Sequence, residues 1–263
     1  MGCSIICFTN ALTIVLFVDT RPGPRFFWPP ERTRGVKVAV LSDVHGNLEA
    51  LGAVLGEAEG LDVYCLGDFV DYGAQPNEVI EALRDRGAKS VVGNHDVAAL
   101  DGDTSGFNAR AAMSSVWTAK HLTQESAAYL RGLPQELSLD IGGTRAYFAH
   151  GSPDDRLWEY VDPRTHSNLF GYYLGRVKAR AIGLGHTHVP YAWKEGDGMV
   201  FNPGSVGQPR DGDWRAGFAL VSFDGGRVEV EERRVKYDVE GAARKILDAG
   251  LPEYFSRRLR TGT

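Results

Sequence analysis

VKVAVLSDVHGN, residues 36–47, sets the frame for the whole chain. VKVAVL (36–41) is an apolar run of the kind expected for a strand covered on both faces. SDVHGN follows at once, and then an apolar stripe at Leu48, Leu51, Val54, Leu55 and Ala58 predicts a helix, with Asn47 a candidate N-cap. The unit is strand, polar loop, helix, and its chemistry-bearing residues fall where the strand ends. Working outward, the same unit recurs. DVYCL (62–66) reads as a second strand leading into GDFVDYG (67–73), and Asn77 is a candidate cap for a helix carrying Val79, Ile80 and Leu83. SVV (90–92) reads as a third strand, with GNHD (93–96) directly after it.

The second half is richer in hairpins. Residues 106–131 read as helical, ended by Pro134. ELSLDI (136–141), a Gly142-Gly143 turn and TRAYFA (144–149) predict a hairpin that delivers His150. Residues 162–179 read as helix and AIGL (181–184) as a strand ending at GHTH (185–188). Short strands divided by glycine-rich turns follow over 190–237, and a last helix over about 239–249. The expected class is α/β, with two sheets packed together and flanked by helices.

The chain has 263 residues, 43% hydrophobic and 24% charged, which suits one globular domain. Its net charge of −5 opposes a broad grip on a nucleic-acid backbone, so no stable nucleic-acid complex is expected. An anionic substrate would need bound cations to reverse the sign locally. Cys3, Cys7 and Cys65 form no CxxC pair, which suits a reducing compartment and a cytoplasmic setting. Residues 5–18 are apolar but broken by Thr9, Asn10 and Thr13, poor as a signal peptide and short for a membrane span. With the Pro- and Arg-rich stretch 21–34, they make residues 1–34 a dispensable leader or linker first and a targeting or anchoring segment second. The working domain is 35–263, with no membrane association expected.

Five polar clusters each follow an apolar strand: Asp43-x-His45, Gly67-Asp68, Gly93-Asn94-His95-Asp96, His150 and Gly185-His186-Thr187-His188. Such carboxyl-end loops are where α/β sheets build sites. Of the seven histidines only His121 and His166 lie elsewhere. Imidazole, carboxylate and amide oxygen together suit borderline divalent ions, and without a thiolate cluster a zinc finger is excluded. The spacing of two in Asp43-x-His45 and in His186-x-His188 predicts side chains on one side of an extended segment.

Taken in order, Asp-x-His, Gly-Asp-x-x-Asp (ending at Asp71), Gly-Asn-His-Asp, a lone His and Gly-His-x-His resemble the calcineurin-like metallophosphoesterases over residues 38–206. NPGSVGQPRDG (202–212) is similar to the corresponding loop in their small bacterial and archaeal phosphodiesterase branch. The resemblance implies a four-layer α-β-β-α sandwich of two mixed sheets and a centre of two divalent metals. It implies Asp43, His45 and His188 on one metal, Asn94, His150 and His186 on the other, and Asp68 bridging both. A hydroxide shared by the metals would attack phosphorus. His95 would protonate the leaving oxygen, with Asp71 fixing its tautomer. Manganese is the first choice of metal, with iron, zinc, cobalt or nickel as alternatives, because the same ligands bind them all.

Departures from the family pattern narrow the substrate. Protein phosphatases carry Asp-Arg-Gly where this chain has Asp71-Tyr72-Gly73, and Glu in place of Asp96. The nucleases usually add domains, and none is visible here. The expected activity is hydrolysis of small phosphodiesters, cyclic nucleotides among the candidates, with monoesters as a further option. Dinucleoside polyphosphate hydrolysis is the alternative. A non-catalytic binding scaffold is a third reading, opposed by the complete ligand set. Candidate substrate contacts are Asn47 (otherwise a helix cap), Tyr72 and Arg210, whose loop 201–213 could offer backbone amides to a phosphate or simply turn tightly. Arg156, Trp158 and Tyr160 either pack on the core or line the entrance, where aromatic rings could stack on a base. Nothing in the sequence sets the oligomeric state.

Overall fold

The computed structural model describes residues 35–263, and the leader read over 1–34 lies outside them. One sheet is built around β1 (Val36–Leu41), which pairs in parallel with β2 (Asp62–Cys65), itself parallel to the two-residue β3 (Lys89–Ser90). On its other side β1 runs antiparallel to β9 (Ala216–Asp224), which forms a hairpin with β10 (Arg227–Val235). The second sheet centres on β5 (Thr144–Ala149), β6 (Ala181–Leu184) and β8 (Gly198–Asn202), all parallel. The antiparallel strands β4 (Glu136–Ile141) and β7 (Tyr191–Glu195) form its edges. Two mixed five-stranded sheets flanked by helices are thus the architecture.

The apolar run of β1 has a direct cause. Val38 and Val40 join Phe148, Phe201 and Phe223 in the layer between the sheets, while Ala39 and Leu41 pack with the helical layer that includes Leu51 and Val54. Both faces are covered, so both parities are apolar. Full burial of side chains this size contributes about 1.5–3 kcal/mol each, so the phenylalanines between the sheets supply much of the cohesion. On the far side Tyr147, Phe170, Tyr173 and Ile182 close the fourth layer.

Several helix boundaries differ from the sequence expectation. Helix α1 (Leu48–Glu57) is capped by Asn47 as read, but α2 (Pro76–Asp85) begins at a proline, ahead of Asn77. The Asn77 side chain instead donates to His121 O and accepts from Thr123 N. The third strand, read over 90–92, is Lys89–Ser90, and the GNHD cluster read as the loop after it opens α3 (Asn94–Asp101), N-capped by Gly93. The single helix read over 106–131 is two, α4 (Ala109–His121) and α5 (Gln124–Arg131), because Leu122 turns extended and Thr123 starts a new cap on Ser126 N. The stretch 162–179 is broken into α6 (Pro163–His166), a 3₁₀ turn (Ser167–Leu169) and α7 (Phe170–Val177). After α8 (Val239–Asp248) comes α9 (Glu253–Thr261), which the sequence did not reveal. It buries only Phe255, Ser256 and Leu259, and its other positions are strongly polar.

Candidate metal centre

The loops that follow β1, β2, β5 and β6, together with the start of α3, converge at one end of the sandwich. They interlock through backbone bonds: Val44 N and His45 N both donate to Asp68 O, at 2.8 and 3.0 Å. Asp96 ties in the third loop, its carboxylate accepting from Gly93 N and Asp68 N at 2.9 Å and from Phe69 N at 2.8 Å. No side chain fits at Gly93, where a Cβ would lie 2.1 Å from Asp68 Oδ1. Asp43, His45, Asp68, Asp71, Tyr72, His186 and His188 all have a left-handed backbone (φ 48 to 69°), and Lys178 is the one other described non-glycine residue that does. Such conformations cost roughly 1–3 kcal/mol each and persist where surroundings over-determine them, typically at functional sites. They also overturn the same-side expectation for His186-x-His188. The segment is not extended, and the two rings join different groups.

The first group is Asp43, His45 and His188. His45 Nδ1 donates to Val70 O at 2.7 Å, and His188 Nδ1 donates to Gln208 O at 2.5 Å. With those tautomers fixed, both Nε2 atoms present bare lone pairs, and they face each other at 3.2 Å. Asp43 Oδ1 is 3.2 Å from His188 Nε2, buried and without a hydrogen-bond partner. The second group is Asp68, His150 and His186. His150 Nδ1 donates to Leu66 O at 2.8 Å and His186 Nε2 to Trp158 O at 3.2 Å, so His186 Nδ1 is left bare and faces His150 Nε2 at 3.1 Å. Asn94 Oδ1 joins them, 2.9 Å from His150 Nε2. Asp68 Oδ2, also buried without a partner, lies 3.3 Å from His150 Nε2 and 3.7 Å from His45 Nε2, so it faces both groups.

Acceptors crowded on acceptors are a poor arrangement for a protein alone and a good one for cations. Burial pushes His45 and His188 well below the usual imidazole range, and burial with the neighbouring His150 takes His186 down to about 3. Burial also works against a charge on His150, but the Asp68 carboxylate overrides it and raises this imidazole to about 9. A proton between Asp68 and His150 thus occupies the place a cation would take, and metal loading would release it. Two adjoining buried His/Asp groups fit a dinuclear centre.

His95 belongs to neither group. Its Nδ1 donates to Asp71 Oδ2 at 2.7 Å, its Nε2 is 3.1 Å from the Tyr72 hydroxyl, and Phe107 stacks on the ring at 4.3 Å. Burial lowers its pKa, but the Asp68 and Asp71 carboxylates outweigh that and raise it above the ordinary value. Burial pushes the Asp71 carboxyl up.

The model of the calcineurin-like phosphoesterase superfamily domain matches residues 36–226. The chain belongs to this superfamily. Membership implies a hydrolase that acts on phosphoesters. An uncharacterized protein of Methanocaldococcus jannaschii is 37% identical over 245 residues, spanning 86% of this chain and 98% of that one. A metallophosphoesterase from Sphaerobacter thermophilus, whose crystal structure is solved, is 34% identical with a TM-score of 0.74, covering 87% of this chain and all (100%) of the other. A hypothetical protein from Pyrococcus horikoshii is 26% identical with a TM-score of 0.77, covering 87% and 99%.

In this phosphoesterase a cavity of about 660 Å³ opens beside the centre, with Asn94, His95, His186 and Tyr72 among its walls. Phe107, Trp158 and Tyr160 form an aromatic side, and Tyr160 lies 3.9 Å from the His186 ring. Of the residues left open in the stretch after His150, Trp158 and Tyr160 therefore line the entrance, while Arg156 turns away to pair with Glu136 at 2.6 Å. Arg210 also lines the cavity. The expectation for Asn47 as a substrate contact is corrected: its Oδ1 caps Ala50 N at 3.1 Å, and its Nδ2 donates to Gly207 O at 3.0 Å, outside the walls of this cavity. Loop 201–213 does not offer its Val206 and Gly207 amides to a phosphate either, since they donate to Ser42 O and Asp43 O at 3.0 Å. That loop props up the Asp43 loop so closely that a Cβ at Gly207 would lie 1.8 Å from Val44 O. Sequence reasoning quoted Asp96 without giving it a role, and missed Phe107, Arg110, Tyr254 and Arg258. Only Asp96, three residues after a capping glycine, carried a local signal. Among the described residues no helix is long and apolar enough to cross a membrane.

Proposed function

We propose that the protein is a dinuclear-metal phosphodiesterase acting on small, nucleotide-like phosphodiesters. The observation that carries the reading is the convergence of four imidazole nitrogens with two unpartnered carboxylate oxygens, on Asp43 and Asp68, all buried in two adjoining groups. Asp43, His45 and His188 would hold one cation and Asn94, His150 and His186 the other, with Asp68 shared. Two such ions supply Lewis-acid neutralisation of phosphate oxygens and an activated water. His95 takes the remaining task, delivering a proton from Nε2 to the departing oxygen. Asp71 keeps Nδ1 occupied, so the mobile proton is confined to the nitrogen on the cavity side. Manganese is the metal we favour, and the free buried thiol of Cys65 accords with a reducing, cytoplasmic setting.

Diesters are favoured over protein phosphomonoesters because Tyr72 stands where the protein phosphatases have their phosphate-gripping arginine. The aromatic side of the cavity supports a nucleoside moiety and keeps dinucleoside polyphosphates as the second reading. Hydrolysis of bis-p-nitrophenyl phosphate and of p-nitrophenyl phosphate by protein reloaded with manganese tests the proposal. Diesterase turnover above monoesterase turnover is expected, and no turnover of either would sink it.

A further inference from the structure

The cavity beside the metal centre carries more positive charge than one phosphodiester requires. Arg110 from α4, Arg210 from the loop after β8 and Arg258 from α9 all line it, brought there from three separate parts of the chain. Among the described residues none of the three forms an ion pair with Asp or Glu. Their known side-chain partners are neutral groups or the chain end: Arg210 Nη2 donates to Gln208 Oε1 at 3.3 Å and Arg258 Nε to Thr263 O. Arg210 Nε is buried and has no partner at all. Two of the guanidiniums are pre-positioned by one ring, with Arg110 centred 3.9 Å and Arg258 5.3 Å from the Tyr254 centroid. Convergent like charges destabilise one another, and Arg258 shows it: burial and the neighbouring Arg210 charge push its pKa down. Arg258 meets only the oxygen of Thr263, and Arg110 and Arg210 have no carboxylate partner among the described residues, so this gathering of cations in a chain with 34 acidic residues and a net charge of −5 is costly unless a ligand supplies the anion.

Resting on the hydrolytic reading of the same site, we propose that Arg110, Arg210 and Arg258 form an anion subsite for a second phosphate, so that preferred substrates are phosphoesters carrying a phosphate besides the one cleaved. A carboxylate would saturate one guanidinium fork. A phosphate dianion has three oxygens and can meet several forks at once. The metals take the scissile group, the arginines take the distal one, and the aromatic wall lies within the same cavity for the moiety that joins them.

Thymidine 5′-(p-nitrophenyl phosphate) and its 3′-phosphorylated counterpart differ only in the second phosphate and release the same phenolate. With the manganese-loaded full chain, kcat/KM for the 3′-phosphorylated substrate should exceed that for the other by at least about tenfold. In the Arg110→Gln/Arg258→Gln double variant that ratio should fall to about one, whereas Arg258→Lys, which keeps the charge, should retain most of it. Taking the ratio within each protein cancels general damage to the metal centre, and Arg210 is left in place because it adjoins His188. A ratio near one in the native protein, or an undiminished ratio in the double variant, overturns the subsite. If neither substrate is cleaved, the hydrolytic reading has failed, and calorimetric binding of thymidine 3′,5′-bisphosphate against thymidine 5′-monophosphate decides the subsite alone. Tighter bisphosphate binding that the double variant loses supports it, and equal binding of the two overturns it.

Discussion

The Nε2 atoms of His45 and His188 stand 3.2 Å apart, and neither holds a hydrogen that the other could accept, because each ring has already spent its proton on a backbone carbonyl. Lone pair faces lone pair between two buried rings. The folded chain therefore carries an internal repulsion that a cation removes, which ties metal binding to stability. At a manganese concentration 100 times the Kd, linkage adds about 2.7 kcal/mol. For a domain of this size that is a rise in Tm of roughly 5–10 °C. Scanning calorimetry of chelated and manganese-loaded protein checks this, and coincident transitions would refute it.

Asp68 is the next point of leverage, since its Oδ2 faces both groups while its Oδ1 holds His95 N at 2.9 Å. Asp68→Ala should abolish both metal retention and turnover, seen as loss of bound metal in elemental analysis together with loss of diesterase activity. Turnover persisting in variant protein shown to be metal-free would end the case for a shared ligand.

His95 contributes through its proton and not through the metals. His95→Ala should keep its metal content and lose about 10²–10⁴-fold in rate on esters with poor leaving groups. The loss should be much smaller with p-nitrophenolate, which leaves without help. A linear free-energy plot over a series of phenols reads the difference, and equal losses across the series count against the acid role.

The pH profile tests the same proton from another side. An acid must be protonated to act, so on poor leaving groups activity should fall as pH rises through the His95 pKa, which its carboxylate neighbours hold above the ordinary imidazole value. Asp71 is one of those neighbours through both its charge and its hydrogen bond. Asp71→Asn removes the charge, lowers the His95 pKa and should move the alkaline limb of kcat/KM to lower pH. A limb that stays in place, or moves up, contradicts the pairing.

Much of the fold is legible in the sequence. The buried strands announced themselves because each was covered on both faces, and the 136–149 hairpin fell where its Gly142-Gly143 turn put it. The residues of the two buried groups stood out because each came soon after an apolar stretch. What stayed hidden was whatever tertiary contact alone decides. Helix α9 has too few buried positions to show a periodic stripe, yet Phe255 packs 5.2 Å from the Tyr72 ring and Arg258 reaches the cavity. The left-handed backbone at His186 and His188 defeated an alternation rule that holds only for extended chain. The use of Asn47 as a cap and brace depends on Gly207, 160 residues away.

The role of Asp96 was hidden for the same reason, and it yields the last prediction. Burial and the Asp68 charge push this carboxyl up to about 7, against the pull of the backbone N–H groups it binds. Those donors come from Gly93, Asp68, Phe69 and, at 3.3 Å, Val70, so one side chain satisfies two separate loops. Asn in its place keeps one acceptor oxygen and turns an amide NH₂ toward donors. Each carboxylate oxygen accepts from two of these donors, so two buried N–H groups are then left unpaired, at about 1–3 kcal/mol for each. Asp96→Asn should therefore lower the unfolding free energy of the metal-free protein by about 2–4 kcal/mol, and also weaken metal affinity, because Asp68 hangs from the same bonds. Denaturant unfolding and metal titration measure the two effects. Asp96→Glu would not rescue them, since Asp96 is fully buried and an added methylene has no room. A variant that unfolds like the native chain would show that the four N–H groups have another acceptor, which the packing of these loops does not provide.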